Sequence, residues 1–254
     1  MTSNPFDRVR ELVEQDTPVV MATVIRGEGI GKRMIVLPEG TEGTLGDASF
    51  DRGVAELARE LLEAGKSETR EVSGREVFFD AHPLPQHLVI FGAVHVAQPL
   101  SRYAQDLGFR VTVVDARKAL ATRERFPNVE RIIQAWPDKA YQELKIGKNT
   151  WIAILSHDPK FDEPAILGAL ETDARYIGTV GSRKTNADRR ERLRASGVSE
   201  EDLARLHGPI GLNIGGKTPE EMAISILGEM IAIRYGRDGG MLREASGSIR
   251  GETR

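Results

Sequence analysis

A short segment in the second half of the chain has the residue types and spacing of a site for a phosphorylated ligand. The segment FGAVHVA places Gly92 and His95 directly after an apolar run and before a helical pattern. In a dinucleotide-binding βαβ unit, such a glycine allows a tight turn, and the amides of the next helix bind an anionic group. Asp115 follows after roughly 20 residues, the spacing at which an acid binds a ribose hydroxyl in that motif. We therefore predict that Gly92, His95 and Asp115 contact a ligand.

The same segment departs from the G-x-G-x-x-G pattern of that motif. Val94 stands where the second glycine belongs, and a β-branched side chain at this place opposes the close approach of a pyrophosphate. Ala97, in the third position, is small enough for the motif. The segment therefore predicts a fold of the dinucleotide-binding type but argues against ordinary NAD(P) binding.

A second anion site is predicted in the segment YIGTVGSRK. Gly178, Gly181, Ser182 and Arg183 precede or open a helical pattern, so amides at a helix start and a cation converge there. A structural role stays open, because glycine and serine also end strands and cap helices. The arginines that follow, from Arg189 to Arg194, alternate with acids in the pattern of a solvated helix.

Two further polar segments follow other predicted strands. In the first, Ser156, His157 and Asp158 combine an acid or base, His157, with an acceptor that could orient it. In the second, HGPIGLNIGGKTPEE, His207 and Gly211 belong to a loop too long and too regularly punctuated by glycine for a simple connector. We include these residues in the predicted ligand site, with a structural brace as the alternative.

The elements that would position these residues form a parallel sheet. Short apolar or β-branched runs alternate with helical stretches from residue 87 onward, and the runs are HLVIFG, RVTVVDA, ERIIQA, TWIAILS and ARYIG. Five such strands predict an α/β, Rossmann-like, doubly wound parallel sheet, with ligands at the carboxyl ends of its strands. Three helices are predicted after it, namely SRKTNADRRERLRASG, SEEDLARLHG and TPEEMAISILGEMIAIRYG. The last is predicted to begin with a capping box of Thr218 and Glu221 and to carry one apolar stripe that packs in the core.

The first third of the chain predicts a separate, small α+β domain. A helix begins at Asn4-Pro5, strands are predicted at PVVMATVI, RMIVLPEG, TREV and REVFFDA, and a helix that Gly65 ends lies between the second and third of them. The proline-containing segment HPLPQH is the predicted linker. The predicted domains are therefore residues 1–84 and 87–236, followed by a flexible tail over residues 237–254.

Composition excludes several classes of function. A net charge of −3 and an aromatic content of 6% argue against nucleic acid as a partner. The absence of cysteine excludes disulfides, thiolate metal sites and a covalent sulfur carrier. No histidine pair has the H-x-x-x-H spacing of a metal-binding helix, so no metal site is predicted. No apolar run is long enough for a membrane span, and we predict a cytoplasmic protein.

Five segments together resemble the XdhC/CoxI family, the accessory factors for xanthine dehydrogenase and related molybdenum hydroxylases. These are FGAVHVA, VTVVDAR, LSHD, RYIGTVGSRK and HGPIGLNIGGKTPEEMAISILGEMIA. The resemblance covers nearly the whole chain. It implies a carrier without turnover that binds the molybdenum cofactor (molybdopterin) as cargo, protects it during sulfuration by a cysteine desulfurase, and delivers it to the apoenzyme of a molybdenum hydroxylase. It also implies a homodimer.

Three features depart from the family's pattern. Ser49, in GTLGDASFD, stands where the family carries a cysteine, and the loop before it is shortened and keeps Lys32 and Arg33 as candidate anion contacts. Val94 interrupts the glycine turn that the family writes G-A-G-H-V-A. Two alternatives therefore stay open beside the carrier: an NAD(P)-dependent oxidoreductase, and a diverged scaffold that has lost its ligand.

Overall fold

A computed structural model describes residues 4–245, and the chain divides into two compact units at Leu84–Pro85. The outer part of the predicted tail, residues 246–254, lies outside the described residues. Within residues 4–245, no helix combines the length and the apolar character that crossing a bilayer requires.

In the first unit, the described residues form a five-stranded antiparallel sheet with one helix on each face. The elements are α1 (Pro5–Glu14), β1 (Val19–Arg26), β2 (Arg33–Val36), β3 (Thr41–Gly43), α2 (Ala48–Ala64), β4 (Glu68–Val72) and β5 (Arg75–His82), and the strand order is β3-β2-β1-β5-β4. Alternate residues of β1 face opposite sides: Val20 packs under α2, and Met21 packs under α1. The predicted run RMIVLPEG is wrong in its second half, because β2 ends at Val36.

Local signals fix the ends of both helices in this unit. Pro5 is the first residue of α1, and the Asn4 side chain accepts a hydrogen bond from the Phe6 amide. α2 ends at Gly65, whose φ of 64° is the left-handed conformation that glycine adopts without steric cost.

In the second unit, the described residues form a six-stranded parallel sheet covered by helices. The elements are β6 (His87–Phe91), α3 (Ala97–Asp106), β7 (Arg110–Val114), β8 (Arg131–Ile133), α4 (Pro137–Glu143), β9 (Thr150–Ile154), α5 (Pro159–Leu170), β10 (Tyr176–Thr179), α6 (Arg183–Ala195), α7 (Glu200–Ala204), β11 (Leu206–His207), α8 (Pro219–Arg234) and a 3₁₀ turn (Leu242–Glu244). The strand order is β11-β10-β9-β6-β7-β8. The predicted fold class, a small α+β domain followed by a Rossmann-like sheet, is confirmed.

Two details of the predicted sheet are wrong. The segment from Asp115 to Glu130 contains no helix, because side chains rather than helical bonds satisfy part of its backbone: Arg125 donates to the Leu120 carbonyl (2.9 Å), and Gln134 donates to the Ala121 carbonyl (2.8 Å). At the other edge, Leu206 and His207 belong to a predicted helix but form β11, which pairs with β10. α7 therefore ends at Ala204.

The last helix follows its sequence signals closely. Thr218 and Glu221 form a capping box, and Pro219 occupies the first position of α8. The predicted apolar stripe packs on the parallel sheet together with α3, with Ala223, Ile226, Leu227 and Met230 buried.

Candidate functional site

The candidate site is the row of turns at the carboxyl ends of the parallel strands. From β6 the chain runs to β7 and β8 on one side of the sheet, and then returns to β9, β10 and β11 on the other side. The connections therefore diverge between β6 and β9, and ligands of open α/β sheets bind at such a switch point. The predicted site residues lie in the last residues of these strands or in the turns that follow them. We call this row the carboxyl rim.

The Gly92 turn lies against the turn that follows β9. Gly92 has a φ of 105°, and a Cβ atom added to it would lie 2.9 Å from the Ser156 amide nitrogen. Glycine is therefore needed here for the close approach of two turns, whether or not a ligand binds. His95 is exposed just before α3, and α3 begins without a capping side chain. The amides of Ala97 and Gln98 at its start donate to the carbonyls of Val94 (3.1 Å) and His95 (3.3 Å), and Pro99 has no amide hydrogen. The anion contact predicted for this helix start stays a prediction.

Asp115 is buried, and its oxygens already accept hydrogen bonds within the protein. Oδ2 accepts from the Ala93 amide (2.7 Å), and Oδ1 accepts from the amide and the Nε of Arg117 (both 2.9 Å). Burial raises the pKa of this carboxyl, but the hydrogen bonds from Arg117 and Ala93 together outweigh burial and lower it. Asp115 thus fixes the Gly92 turn and holds Arg117, a cation that the sequence reasoning missed, at the rim. A ribose hydroxyl would have to compete with these bonds.

Val94 is half-buried and packs against the apolar core beneath α3 and α8. Its side chain therefore serves the packing of the fold, at least in part. The effect on a phosphate that was predicted for it stays a prediction.

The residues after β9 have three different environments. Ser156 is buried, and its Oγ accepts from the Asp158 amide (3.1 Å). Asp158 is exposed and caps α5, with Oδ1 accepting from the Lys160 amide (3.0 Å). His157 is exposed between them. The structure thus assigns Asp158 a bond to the helix backbone, while its predicted action on His157 stays a prediction.

The turn after β10 is bonded to a buried side chain on its inner side and exposes a cation and a hydroxyl on its outer side. Gly181 has a φ of 127°, and the Ser182 hydroxyl caps α6 by accepting from the Thr185 amide (3.0 Å). Asn186 is buried under the turn and donates to the carbonyls of Gly181 (3.2 Å) and Ser182 (3.1 Å). Ser182 and Arg183 are exposed at the start of α6. This arrangement leaves a cation and a hydroxyl at the positive end of a helix.

The solvated character predicted for the arginines of α6 is wrong for Arg189. Arg189 is only 4% exposed and donates to the Val180 carbonyl (3.0 Å), to Asn186 Oδ1 (2.7 Å) and to Asp162 Oδ2 (3.3 Å). Its charge is tolerated in this buried place because the turn after β10 and the side chains of Asn186 and Asp162 supply acceptors. Asn186, Arg189 and Leu193 share one face of α6, so the signal available in the sequence was their helical spacing.

Asp162 is the buried partner of Arg189 and lies in the first turn of α5. Its Oδ1 has no hydrogen-bond partner among the described residues. Burial raises its pKa to about 6, and the nearby Arg189 and Ser156 offset burial only in part. The pair joins α5 and α6 directly behind the turns that follow β9 and β10.

Glu229 of α8 brings the last two predicted residues together. Its Oε1 lies 3.5 Å from His207 Nδ1, and its Oε2 accepts from the Gly211 amide (2.7 Å) and from the buried hydroxyl of Tyr176. The His207 ring lies over the Tyr176 ring, with 4.6 Å between their centroids. Burial raises the pKa of Glu229, but hydrogen bonds from His207, Tyr176 and Gly211 lower it further than burial raises it. Tyr176 and Glu229 were missed because each lies in a pattern that reads as core.

Two glycines allow the loop after β11 to lie close to β10 and to the start of α6. A Cβ atom on Gly178 would lie 2.5 Å from Ile210 Cδ1, and one on Gly208 would overlap the side chains of Asn186 and Thr179. The loop from His207 to Gly211 therefore rests on the turn after β10, and the predicted site residues form one continuous rim.

Two of the three candidate residues of the first unit, Lys32 and Ser49, lie around the start of α2. Lys32 extends its ammonium group to the turn at Gly46, next to the helix start, and Ser49 is exposed in the first turn of α2. Arg33 lies instead over the Phe6 ring, with its guanidinium carbon 4.8 Å from the centroid. No group of three or more histidines and acids suited to a metal ion occurs in residues 4–245.

Comparisons with known proteins agree with this architecture. One solved structure, described as a xanthine dehydrogenase from Bacillus halodurans, shares the fold with a TM-score of 0.57 at 20% identity, over 94% of this chain and 97% of that one.

Curated relatives match the chain at about 30% identity. The uncharacterized protein YqeB of Escherichia coli K12 is 30% identical over 96% of this chain and 48% of its own length. A probable xanthine dehydrogenase subunit from Bacillus subtilis 168 is 32% identical over 60% of this chain and 44% of its own length. The molybdenum cofactor insertion chaperone PaoD of E. coli K12 is 28% identical over 37% of this chain and 30% of its own length. The chain thus spans about half or less of the length of each.

Protein-family comparisons match most of the chain, in two segments. Residues 88–230 match the XdhC Rossmann domain, and residues 12–73 match the XdhC and CoxI family. The first match alone contains the whole carboxyl rim, from the Gly92 turn to Glu229. The chain belongs to the XdhC and CoxI family.

Proposed function

We propose that this protein binds the molybdenum cofactor, of the molybdopterin type, and delivers it to a molybdenum hydroxylase such as xanthine dehydrogenase. The observation that carries the proposal is the carboxyl rim, on which the predicted ligand residues after β6, β7, β9, β10 and β11 adjoin one another. The names of two relatives, one a component of a xanthine dehydrogenase and the other a cofactor insertion chaperone, support it.

The rim suits a phosphorylated pterin in its charges. The cofactor's phosphate would lie at the start of α6, where Ser182 and Arg183 are exposed beside a helix N-terminus. Arg117, half exposed and held by Asp115, offers a second cation. The protein's part is to bind and shield its cargo, so the proposal needs no catalytic residue.

Three finer features of the family belong to the same proposal: a cytoplasmic location, a homodimer and a cysteine desulfurase as a partner. The sequence supports the desulfurase in one respect. This chain has no cysteine, so its own residues cannot carry a persulfide sulfur to the molybdenum. A persulfide sulfur for the bound cofactor would therefore come from outside this chain, as from a cysteine desulfurase.

Anaerobic gel filtration tests the proposal. The full chain is mixed with cofactor released from a molybdenum hydroxylase, and we expect molybdenum and pterin to co-elute with the protein in a fixed ratio. The eluted complex should then restore activity to the apoenzyme. If neither component co-elutes at micromolar protein, the carrier function is wrong.

An NAD(P)-dependent oxidoreductase remains the second candidate, because the strand order is that of a dinucleotide-binding sheet. Against it stand Val94 and the Asp115 oxygens that already accept hydrogen bonds. A thermal-shift titration separates the two functions. A nucleotide at 100 times its dissociation constant would stabilise the native state by about 2.7 kcal/mol. We expect no such shift with NAD or NADP, and a clear shift would favour the oxidoreductase.

A further inference from the structure

Trp136 is an exposed aromatic residue that neither the fold nor the proposed phosphate site requires. The chain has two tryptophans. Trp151 is fully buried in the core, whereas Trp136 is 49% exposed. Tryptophan is buried for most of its surface in the average protein, so a half-exposed indole at a ligand-binding edge indicates a contact surface.

The position of Trp136 is on the carboxyl rim. It follows the end of β8 by three residues, and β8 ends beside Asp115, whose amide donates to the Ile133 carbonyl (3.1 Å). The indole lies 5.8 Å from the ring of Phe161, in the first turn of α5. Phe161 in turn packs against Phe91 at the end of β6 (6.4 Å). A row of aromatic rings therefore supports the indole from the core.

The backbone at Trp136 is fixed as well. Its carbonyl accepts the first hydrogen bonds of α4, from the amides of Lys139 (3.1 Å) and Ala140 (2.9 Å), and Pro137 restricts the next φ angle. The ring is thus presented to solvent by a rigid segment, which lowers the entropic cost of stacking a ligand on it.

Two polar groups with complementary roles lie on other turns of the same rim. Arg117 is held by Asp115 and is also close enough to Asp158 to interact with it electrostatically. Asp158 begins the helix turn that contains Phe161, and it is exposed. A carboxylate acceptor and a planar cation therefore lie on the turns after β9 and β7, and the helix that Asp158 caps carries the Phe161 ring that Trp136 contacts.

We infer that Trp136 is a stacking platform for a flat heteroaromatic ring that is joined to a phosphate, with Asp158 accepting a hydrogen bond from a ring N–H. Pterins and the nucleobases share this chemistry. The inference rests on the proposed function, because it assigns ring recognition to the same carboxyl rim that carries the proposed phosphate contacts, of which Arg117 follows β7, the strand next to β8.

Tryptophan fluorescence and calorimetry on the full chain test the inference. Neopterin is the pterin probe, and GMP, CMP and AMP are the nucleotide probes. Because Trp151 is buried, a ring stacked on Trp136 should quench the solvent-exposed emission of the wild type. Trp136→Leu should lose that quenching and bind the same probe roughly 5- to 100-fold more weakly by calorimetry. Trp136→Tyr keeps a flat ring and should retain most of the affinity.

Two more variants define the contacts. Asp158→Asn keeps a good helix cap but removes the carboxylate, so it should weaken ring binding without changing the unfolding midpoint. Phe78→Leu removes an aromatic side chain that is 38% exposed on β5 of the first unit, and it should leave binding unchanged.

The outcomes separate this inference from the carrier function. Binding of neopterin alone supports it with a pterin as the ligand, and binding of a nucleotide supports it with a nucleobase as the ligand. It is overturned if no probe quenches Trp136, or if Trp136→Leu binds as tightly as the wild type. If Trp136→Leu still co-elutes with the molybdenum cofactor like the wild type, the carrier function stands without the platform. If the wild type binds the ring probes but not the cofactor, the stacking platform stands and the carrier function is wrong.

Discussion

Asp162 and Arg189 form a buried ion pair that joins α5 and α6 behind the rim but leaves one carboxylate oxygen without a partner among the described residues. Both are almost fully buried, and the ion pair between them is long, at 3.3 Å. One carboxylate oxygen has no partner among the described residues, so the pair does not recover the full cost of burying its charges. That cost is the physical cause of the raised pKa of Asp162.

The first prediction concerns the pH dependence of stability. The pKa of Asp162 is about 6 in the folded protein, against about 3.9 in an unfolded chain. Between these values the native state retains a proton that the unfolded state releases, so this group makes the free energy of unfolding fall as pH rises from about 4 to 6. The fall should be on the order of 2–3 kcal/mol. Carboxyls with lowered pKa values, such as Asp115 and Glu229, act in the opposite direction at the acid end of this range, so the test is a difference between two proteins. In urea unfolding, the free energy of unfolding of the wild type minus that of Asp162→Asn should fall from about pH 4 to 6, and parallel curves would contradict the prediction.

The second prediction concerns Arg183. A charge-assisted hydrogen bond to a phosphate contributes about 1.5–3 kcal/mol, so Arg183→Ala should weaken cofactor binding roughly ten- to a hundredfold. Its unfolding midpoint should barely change, because an exposed cation at a helix start adds little to stability. Arg194→Ala, at the exposed far end of α6, is the matched control and should bind like the wild type. A large loss of stability in Arg183→Ala with intact affinity would identify a brace instead.

At the scale of elements, the rim depends on turns that approach one another more closely than side chains would allow. The turn after β6 meets the turn after β9 at Gly92, and the loop after β11 meets the turn after β10 at Gly208. The Asp115 side chain joins the turn after β6 to the turn after β7, and the Asn186 side chain holds the carbonyls of the turn after β10. The binding surface is therefore built from backbone that the sheet holds rigidly, which favours a preorganised site.

The third prediction separates close approach from backbone conformation. Gly92 and Gly108 both have positive φ, but a Cβ on Gly108 would meet nothing within 4 Å. Gly108→Ala should therefore cost only the left-handed conformation, roughly 1–2 kcal/mol. Gly92→Ala should cost about 1–3 kcal/mol more, because its Cβ would collide with the Ser156 backbone. Equal losses in chemical denaturation would mean that the two turns separate easily.

At the scale of the whole molecule, α8 is apolar on two faces. One face packs on the sheet, while Ile224, Ile231 and Tyr235 are exposed on the other. A helix that is apolar all round is usually covered on both sides. Glu220 and Arg234 lie at opposite ends of α8. Two copies of α8 packed antiparallel would therefore place Glu220 of each beside Arg234 of the other, and such a surface is self-complementary, as in a two-fold dimer.

The fourth prediction follows from this surface and tests the proposed homodimer. We expect sedimentation equilibrium to find a dimer for the wild type and a shift towards monomer for the double variant Ile224→Ser and Ile231→Ser. Leu107→Ser, which changes an apolar residue exposed at the end of α3, should leave the dimer intact. A wild type that is monomeric at high micromolar concentration would contradict the proposal.

The sequence by itself determined the elements whose signals are local. Helix caps act within one helical turn, so the sequence marked three helix ends correctly. These are the start of α1 at Asn4 and Pro5, the end of α2 at Gly65, and the start of α8 at Thr218 and Glu221. The five apolar runs of the second unit became strands because a sheet covered on both faces needs continuous apolar segments. From parallel strands alone it followed that the predicted site residues lie at one rim.

The tertiary structure alone decided which polar residues are buried and what they contact. Arg189 has the sequence surroundings of a solvated arginine, and Asp115 has the spacing of a ribose ligand, yet both satisfy groups of turns that are distant in the chain. β11 is likewise a strand only because β10 offers it a partner. Such pairings depend on distances across the fold and leave no periodic signal in the chain, whereas helix caps and apolar stripes do.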